Sequence, residues 1–105
     1  MKATDIEEAI SLLAEQPFDA AEFPFRLLEA FGNKETTLKR LRSGTSNASD
    51  VEGGVLQRSN IHIAVCGAGA VSETLKTLRS SPATLKAKAK FVLATDGDML
   101  EVEEL

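Results

Sequence analysis

Residues 61–69 read Ile-His-Ile-Ala-Val-Cys-Gly-Ala-Gly, and this stretch decides the fold of the chain. Its β-branched residues alternate with smaller or polar ones over 61–66, which is typical of a buried strand. The glycines that follow permit a tight turn, after which apolar residues recur at helical spacing. These residues are Val71, Leu75 and Leu78. The stretch therefore predicts a central strand that leads directly into a helix covering the sheet.

Downstream of that helix the sequence predicts another helix, a strand and a hairpin. Ser81-Pro82 supplies an N-cap and a first-turn proline, the usual start of a helix. Residues 91–95 form an apolar strand, and Asp96-Gly97 is a two-residue hairpin signal leading into residues 99–103. A helical connection between the strands at 61 and 91 predicts a crossover in one sheet.

Upstream, the sequence predicts two helices and a long loop. Residues 4–7 read Thr-Asp-Ile-Glu, a capping box that opens the first helix. The second helix spans 23–31 and is closed by Gly32, and residues 37–42 could add a short basic turn. Residues 43–54 are polar and glycine-rich, which predicts a flexible loop.

The element order predicts an α/β (α+β) fold in which helices flank a small mixed sheet. A chain of 105 residues with 43% hydrophobic residues suits a single domain, 1–105. No run of about 18 apolar residues occurs, and the acidic N-terminus does not look like a signal peptide. The lone Cys66 also fits a reducing compartment. We therefore expect a cytoplasmic protein that makes no contact with a membrane.

Charge is sorted along the chain, whose net charge is −4. Residues 1–33 carry seven acids and two bases, residues 34–90 ten bases and four acids, and residues 91–105 five acids and no base. A clustered basic surface can neutralise phosphates, although solvated helix faces would also explain the pattern. The candidates for phosphate contact are Lys39, Arg40, Arg42 and Arg58. Lys86, Lys88 and Lys90 are weaker candidates, because helical spacing would rotate them around the axis.

No catalytic or metal-binding set is predicted. Residues 63–72 imitate a dinucleotide fingerprint, but the third glycine position holds Ser72 and the expected acid about 20 residues on is missing. His62 is the only histidine, and no ligands at suitable spacing accompany Cys66. We expect a structural or surface histidine, no metal and no cofactor in this segment.

Three stretches resemble one protein family when taken in order. They are residues 25–32, residues 56–63 (Leu-Gln-Arg-Ser-Asn-Ile-His-Ile) and residues 88–97 (Lys-Ala-Lys-Phe-Val-Leu-Ala-Thr-Asp-Gly). Nearly the whole chain resembles the N-terminal segment of large bacterial class I SAM-dependent DNA methyltransferases, related to type IIG and type IIL restriction-modification proteins. The resemblance implies a downstream methyltransferase domain that uses SAM, since the Phe-x-Gly-x-Gly and Asn-Pro-Pro-Tyr/Phe motifs are absent here.

The resemblance also implies a degenerate restriction-endonuclease-like core. The central strand of a PD-(D/E)xK nuclease presents Glu-x-Lys to the metal, whereas residues 61–65 hold neither a carboxylate nor a lysine. We therefore expect a nonenzymatic accessory domain that positions DNA or supports the catalytic part. Two alternatives stay open. One is a protein-interaction module that pairs with another chain, or with a second copy of itself as a homo-oligomer, through the edge of the C-terminal hairpin. The other is a residual metal-dependent nuclease using Asp50 or Glu52.

Overall fold

A mixed sheet forms the centre of the computed structural model, which describes residues 3–15, 17–30, 32–44, 47–51 and 54–105. Its strands within these ranges are β1 (Gly54–Gln57), β2 (Ile61–Val65), β3 (Phe91–Thr95) and β4 (Leu100–Glu104), in spatial order β1-β2-β3-β4. β2 and β3 are parallel, and the other two pairs are antiparallel. The predicted mixed sheet and the crossover between β2 and β3 are both confirmed.

Helices cover both faces of this sheet. They are α1 (Ala3–Ala14), α2 (Phe23–Ala30), α3 (Glu35–Arg42), α4 (Val71–Ser80) and α5 (Pro82–Lys86). The first three precede the sheet in the chain, and the last two make up the crossover. None of the helices in the described ranges is both long and apolar enough to cross a lipid bilayer. The predicted α+β class is therefore confirmed.

The two faces of the sheet bury different clusters, because side chains alternate along each strand. Odd-numbered residues of β2 and β3, such as Ile63 and Leu93, pack with α1, α2 and α3 in the larger cluster. Even-numbered residues, such as Ala64 and Val92, pack against α4 in the smaller one. The buried members of the larger cluster are Ile6, Ala9, Phe23, Leu27, Leu28, Leu38, Leu41, Val55, Ile61, Ile63, Phe91 and Leu93. The result is three layers with the sheet in the middle.

The structure differs from the sequence expectations in three places. The predicted order omitted β1, and the short basic turn expected at 37–42 is part of the complete helix α3. The hairpin between β3 and β4 is present, but four residues rather than two separate its paired ends, Thr95 and Leu100. Asp96 explains the longer loop, because its Oδ1 accepts hydrogen bonds from the backbone N–H of Asp98 and Met99. The predicted capping box at 4–7 involves side chains outside the described ones.

Residues 47–51 of the predicted loop run beside β1, and the last residue assigned to that loop, Gly54, is the first residue of β1. The backbone N–H of Ala48 donates to the Leu56 carbonyl at 3.2 Å. The Asn47 side chain accepts a hydrogen bond from Leu56 N–H at 2.9 Å and donates one to the Gly54 carbonyl at 3.0 Å. These bonds tie residues 47 and 48 to the outer edge of β1. Flexibility of the whole segment 43–54 stays a prediction.

Candidate functional site

The basic residues of α3 are largely engaged in contacts within the protein. Lys39 lies 3.7 Å from the Glu35 carboxylate, one helical turn away. Arg42 pairs with Glu22 at 2.5 Å, and its guanidinium lies 4.4 Å from the centroid of the Phe25 ring. The hydrogen bond between the Arg42 and Glu22 side chains lowers the pKa of Glu22 and raises the pKa of Arg42. These contacts join α3 to α2, so a DNA phosphate would have to compete with an internal carboxylate for Arg42.

A second group of bases collects at one end of the sheet, where β2 and β3 begin. Arg58 lies in the turn between β1 and β2, and Lys86 ends α5. The next residues form a turn, in which Lys88 has a positive φ of 57°, and Lys90 directly precedes β3. The four side chains are exposed. We call Arg58, Lys86, Lys88 and Lys90 the basic end.

Backbone hydrogen bonds hold the two segments of the basic end together. Ser59 N–H, beside Arg58, donates to the Ala87 carbonyl at 2.8 Å. The Asn60 carbonyl accepts a hydrogen bond from Lys90 N–H at 2.7 Å. Within the described ranges, no ion pair involves any of the four bases. Because α5 ends at Lys86, the expectation that 86, 88 and 90 spread around one helix axis is wrong.

His62 forms a buried polar network that the sequence did not reveal. It is 0% exposed on the face of the sheet that α4 covers. Its Nε2 lies 2.7 Å from Ser49 Oγ, and its Nδ1 lies 2.8 Å from Thr84 Oγ1. Thr84 donates its hydroxyl proton to the Leu78 carbonyl at 2.6 Å. His62 Nδ1–H must therefore donate to Thr84, which leaves Nε2 to accept from Ser49.

Serine, histidine and threonine in this order resemble a nucleophile, a base and an orienting group. The surroundings do not suit catalysis, because burial lowers the pKa of His62 to about 4 and makes it a weak base. A Cβ built on Gly54 would overlap Ser49 Oγ and lie 3.2 Å from His62 Nε2, so backbone covers this pair. The network instead ties residues 47–51 and α5 to the sheet. Histidine alternating with isoleucine in one strand was the only sequence signal for it.

Asp50, the candidate ligand of a residual nuclease, serves as a cap for α5. Its carboxylate accepts hydrogen bonds from the Ser81 hydroxyl and from Ala83 N–H, the latter at 3.4 Å. The bond to Ser81 lowers the pKa of Asp50. Glu52 lies outside the described residues. No three His, Cys, Asp or Glu side chains in the described part of the chain are grouped closely enough to hold a metal ion.

The glycine turn after β2 faces a carboxylate of the protein itself. Gly69 N–H donates to Asp96 Oδ2 at 3.1 Å. In a dinucleotide site, backbone N–H groups of such a turn would point at the pyrophosphate. Here the Asp96 carboxylate accepts the N–H that would point at the pyrophosphate. The hydrogen bonds that it accepts from backbone N–H groups, chiefly those of Met99, Gly69 and Asp98, lower the pKa of Asp96. The turn therefore joins β2 to the hairpin at the end of β3.

An apolar cavity of about 270 Å³ lies between the end of α1, the start of α2 and the turn after β3. Ile10, Leu13 and Leu100 are among the residues that line it. Its charged lining residues are Asp19, Arg26 and Asp98. The only histidine of the chain, His62, does not line it. The cavity is lined by residues of both acidic segments of the chain, 1–33 and 91–105.

Comparison with protein families gives one finding. The family described as "MmeI, N-terminal domain" matches residues 1–105. Comparisons with curated proteins and with solved structures found no match. The family match confirms the resemblance to the N-terminal segments of type II restriction-modification methyltransferases, whereas the restriction-endonuclease-like core stays a prediction. The chain belongs to the family of MmeI N-terminal domains, the N-terminal segments of restriction-modification proteins.

Proposed function

We propose that this domain is a nonenzymatic accessory domain that contacts the DNA backbone through its basic end. It would work in the cytoplasm beside a linked methyltransferase domain, which would bind SAM and carry out the chemistry. The observation that carries the proposal is the meeting of Arg58 with Lys86, Lys88 and Lys90 at one end of the sheet. Four exposed bases without ion pairs in the described ranges are available to phosphates.

The basic end suits DNA better than α3 does. Cations already bound to a carboxylate gain less from a phosphate, since the first partner must be released. Lys39 and Arg42 have such partners, so Arg40 is the α3 base without an ion pair in the described residues. Our proposal therefore ranks the basic end first and keeps Arg40 as a secondary candidate.

Charge around the basic end also favours one orientation on DNA. The opposite ends of β2 and β3 carry the Asp96 and Asp98 turn, about 13 Å away at 3.3 Å per residue. Arg79 donates to both carboxylate oxygens of Glu103 at 3.0 Å, so the negative charge of Glu103 is already paired within the protein. Glu104, which lies opposite Phe91, brings one negative charge to the basic end. A phosphate should therefore approach along the strands from this end.

The experiment is the salt dependence of binding to a short DNA duplex. If all four bases contact phosphates, the slope of log K against log salt should be about −3.6, and a variant with glutamine at all four positions should lose that slope. The control is Lys76→Gln, which removes one positive charge from an exposed position on α4, away from the basic end. A further variant, Lys39→Gln with Arg40→Gln, tests α3, where the loss of Arg40 should change the slope by about 0.9 at most. A slope that is unchanged in the four-position variant would refute the proposal.

A second candidate function is a protein-interaction module, and one observation favours it. Among the described residues no strand pairs with the outer edge of β4, and Val102 and Leu105 beside it are 40% and 52% exposed. Exposed strand edges are sites at which another chain can add a strand. A measurement of molecular size, with and without DNA, separates this function from DNA contact.

A further inference from the structure

The hydrogen-bond pattern between β3 and β4 shows which backbone groups of β4 point outward. Leu105 N–H donates to the Lys90 carbonyl at 2.8 Å, and Asp96 N–H donates to the Met99 carbonyl at 3.2 Å. In an antiparallel pair, hydrogen-bonded and non-hydrogen-bonded positions alternate. Leu100, Val102 and Glu104 are thus the non-hydrogen-bonded positions toward β3, so their N–H and C=O groups face away from the sheet.

The other edge of the sheet is blocked within the described ranges. Asn47 and Ala48 make hydrogen bonds with Gly54 and Leu56 along the outer side of β1. The Ser49 bond to His62 fixes this short segment in place. An added strand would have to displace these bonds at β1, whereas at β4 it would meet backbone groups that no other described residue pairs with. Strand addition is therefore favoured at β4.

The charges on β4 decide which strand it can accept. Glu101 and Glu103 share one face of the strand, and Val102 lies on the other. Glu103 pairs with Arg79, whereas Glu101 accepts a hydrogen bond from the neutral Ser72 and has no ion pair in the described ranges. Suppose that β4 paired antiparallel with β4 of a second copy. A register that places Val102 opposite Val102 would place Glu101 opposite Glu103. The neighbouring registers would place Glu101 opposite Glu101, or Glu103 opposite Glu103. Like charges directly opposite each other destabilise a sheet. A second copy is therefore a poor occupant.

We infer that the outer edge of β4 docks an extended segment of a partner protein in which apolar residues alternate with lysine or arginine. The apolar residues of the partner lie beside Val102, and a basic residue lies beside Glu101, the carboxylate on this face without an ion pair in the described ranges. Backbone bonds to Leu100, Val102 and Glu104 supply affinity, as in other cases of strand addition. This inference rests on the second candidate function above and does not depend on contact with DNA.

The test uses a synthetic seven-residue peptide that alternates lysine and valine, added to the 105-residue chain. Val102→Pro removes the outward N–H of residue 102 and leaves the bonds to β3 intact, because proline is tolerated at such edge positions. Val102→Ala is the matched control, since it also shortens the side chain but keeps the N–H. We expect Val102→Pro to weaken peptide binding at least tenfold relative to Val102→Ala. A peptide with glutamate in place of lysine should not bind.

Amide hydrogen exchange of the unmodified chain gives a second readout that needs no variant. The Val102 and Glu104 amides should exchange fast in the free chain and at least tenfold slower with the lysine-valine peptide. Equal binding by the proline and alanine variants, or exchange of these amides that the peptide does not change, would overturn the inference. Dimerisation of the chain that Val102→Pro abolishes would overturn it in favour of a second copy. The salt slope on DNA should be the same in Val102→Pro, so the two proposals can fail separately.

Discussion

Acidification from pH 7 to pH 4 should destabilise this domain through the buried His62. The side chain is 0% exposed and lies between Ser49 and Thr84, and burial lowers its pKa to about 4 from an ordinary 6.5. A proton on Nε2 would place a positive charge on a ring that is buried away from water, and this loss of solvation is what lowers the pKa. The folded protein must therefore resist protonation that the unfolded chain accepts.

The size and the pH window follow from these two pKa values. Between pH 6.5 and about 4, the unfolded chain binds a proton at this histidine and the folded protein does not, so stability falls as the pH is lowered. The contribution is fully present above 6.5, declines by about 1.4 kcal/mol per pH unit and is lost at about pH 4. The full loss is about 3 kcal/mol. Typical domains have only about 5–15 kcal/mol of stability, so the loss should be easy to measure.

The assay is urea unfolding at half-unit pH steps, with His62→Gln as the comparison. Carboxylates also titrate toward pH 4, and the lowered pKa of Asp50 makes its contribution disappear as the pH falls below its ordinary value of 3.8. Subtracting the curve of His62→Gln, which keeps these carboxylates, isolates the histidine. We expect the difference in unfolding free energy to shrink by about 3 kcal/mol between pH 6.5 and 4. Parallel curves for the two proteins would refute a buried, neutral His62.

Two further predictions concern single positions. Gly54→Ala should lower the free energy of unfolding by about 1–3 kcal/mol, because the added Cβ overlaps Ser49 Oγ and disturbs its bond to His62. Urea unfolding at pH 7 measures this change, and a free energy equal to that of the unmodified chain would contradict the prediction. Lys88→Gly should leave stability unchanged or raise it by up to about 1 kcal/mol, because φ at this residue is 57°, a conformation that glycine adopts without strain. The same change should weaken DNA binding and reduce the salt slope by about 0.9. Loss of both stability and binding together would contradict the assignment of Lys88.

Local patterns were sufficient to predict most of the fold. The alternation over β2, the helical spacing of Val71 and Leu78 in α4, and the Ser81-Pro82 start of α5 each depend on neighbours in sequence. β1 was missed because it has only four residues, beginning at a glycine, and its pairing with β2 is what defines it. Short strands carry too little periodicity to be recognised without their partner.

The sites depend on contacts between distant parts of the chain, so sequence patterns revealed them less well. Seven bases were predicted as phosphate contacts, but the pairing of Arg42 with Glu22 and the position of Arg58 beside Lys90 are set by tertiary structure. Ser49 and Thr84 come to His62 from 13 and 22 residues away. No spacing rule links such residues, because the sheet and the crossover bring them together.

The central claim is that the basic end contacts DNA phosphates, and the salt slope of binding tests it most directly. The measurement compares the unmodified chain with the variant carrying Arg58→Gln, Lys86→Gln, Lys88→Gln and Lys90→Gln, on one duplex over a salt series. Our account predicts a slope of about −3.6 from these four contacts, and its loss in the variant. Equal slopes for both proteins, or no binding by the unmodified chain, would contradict the account.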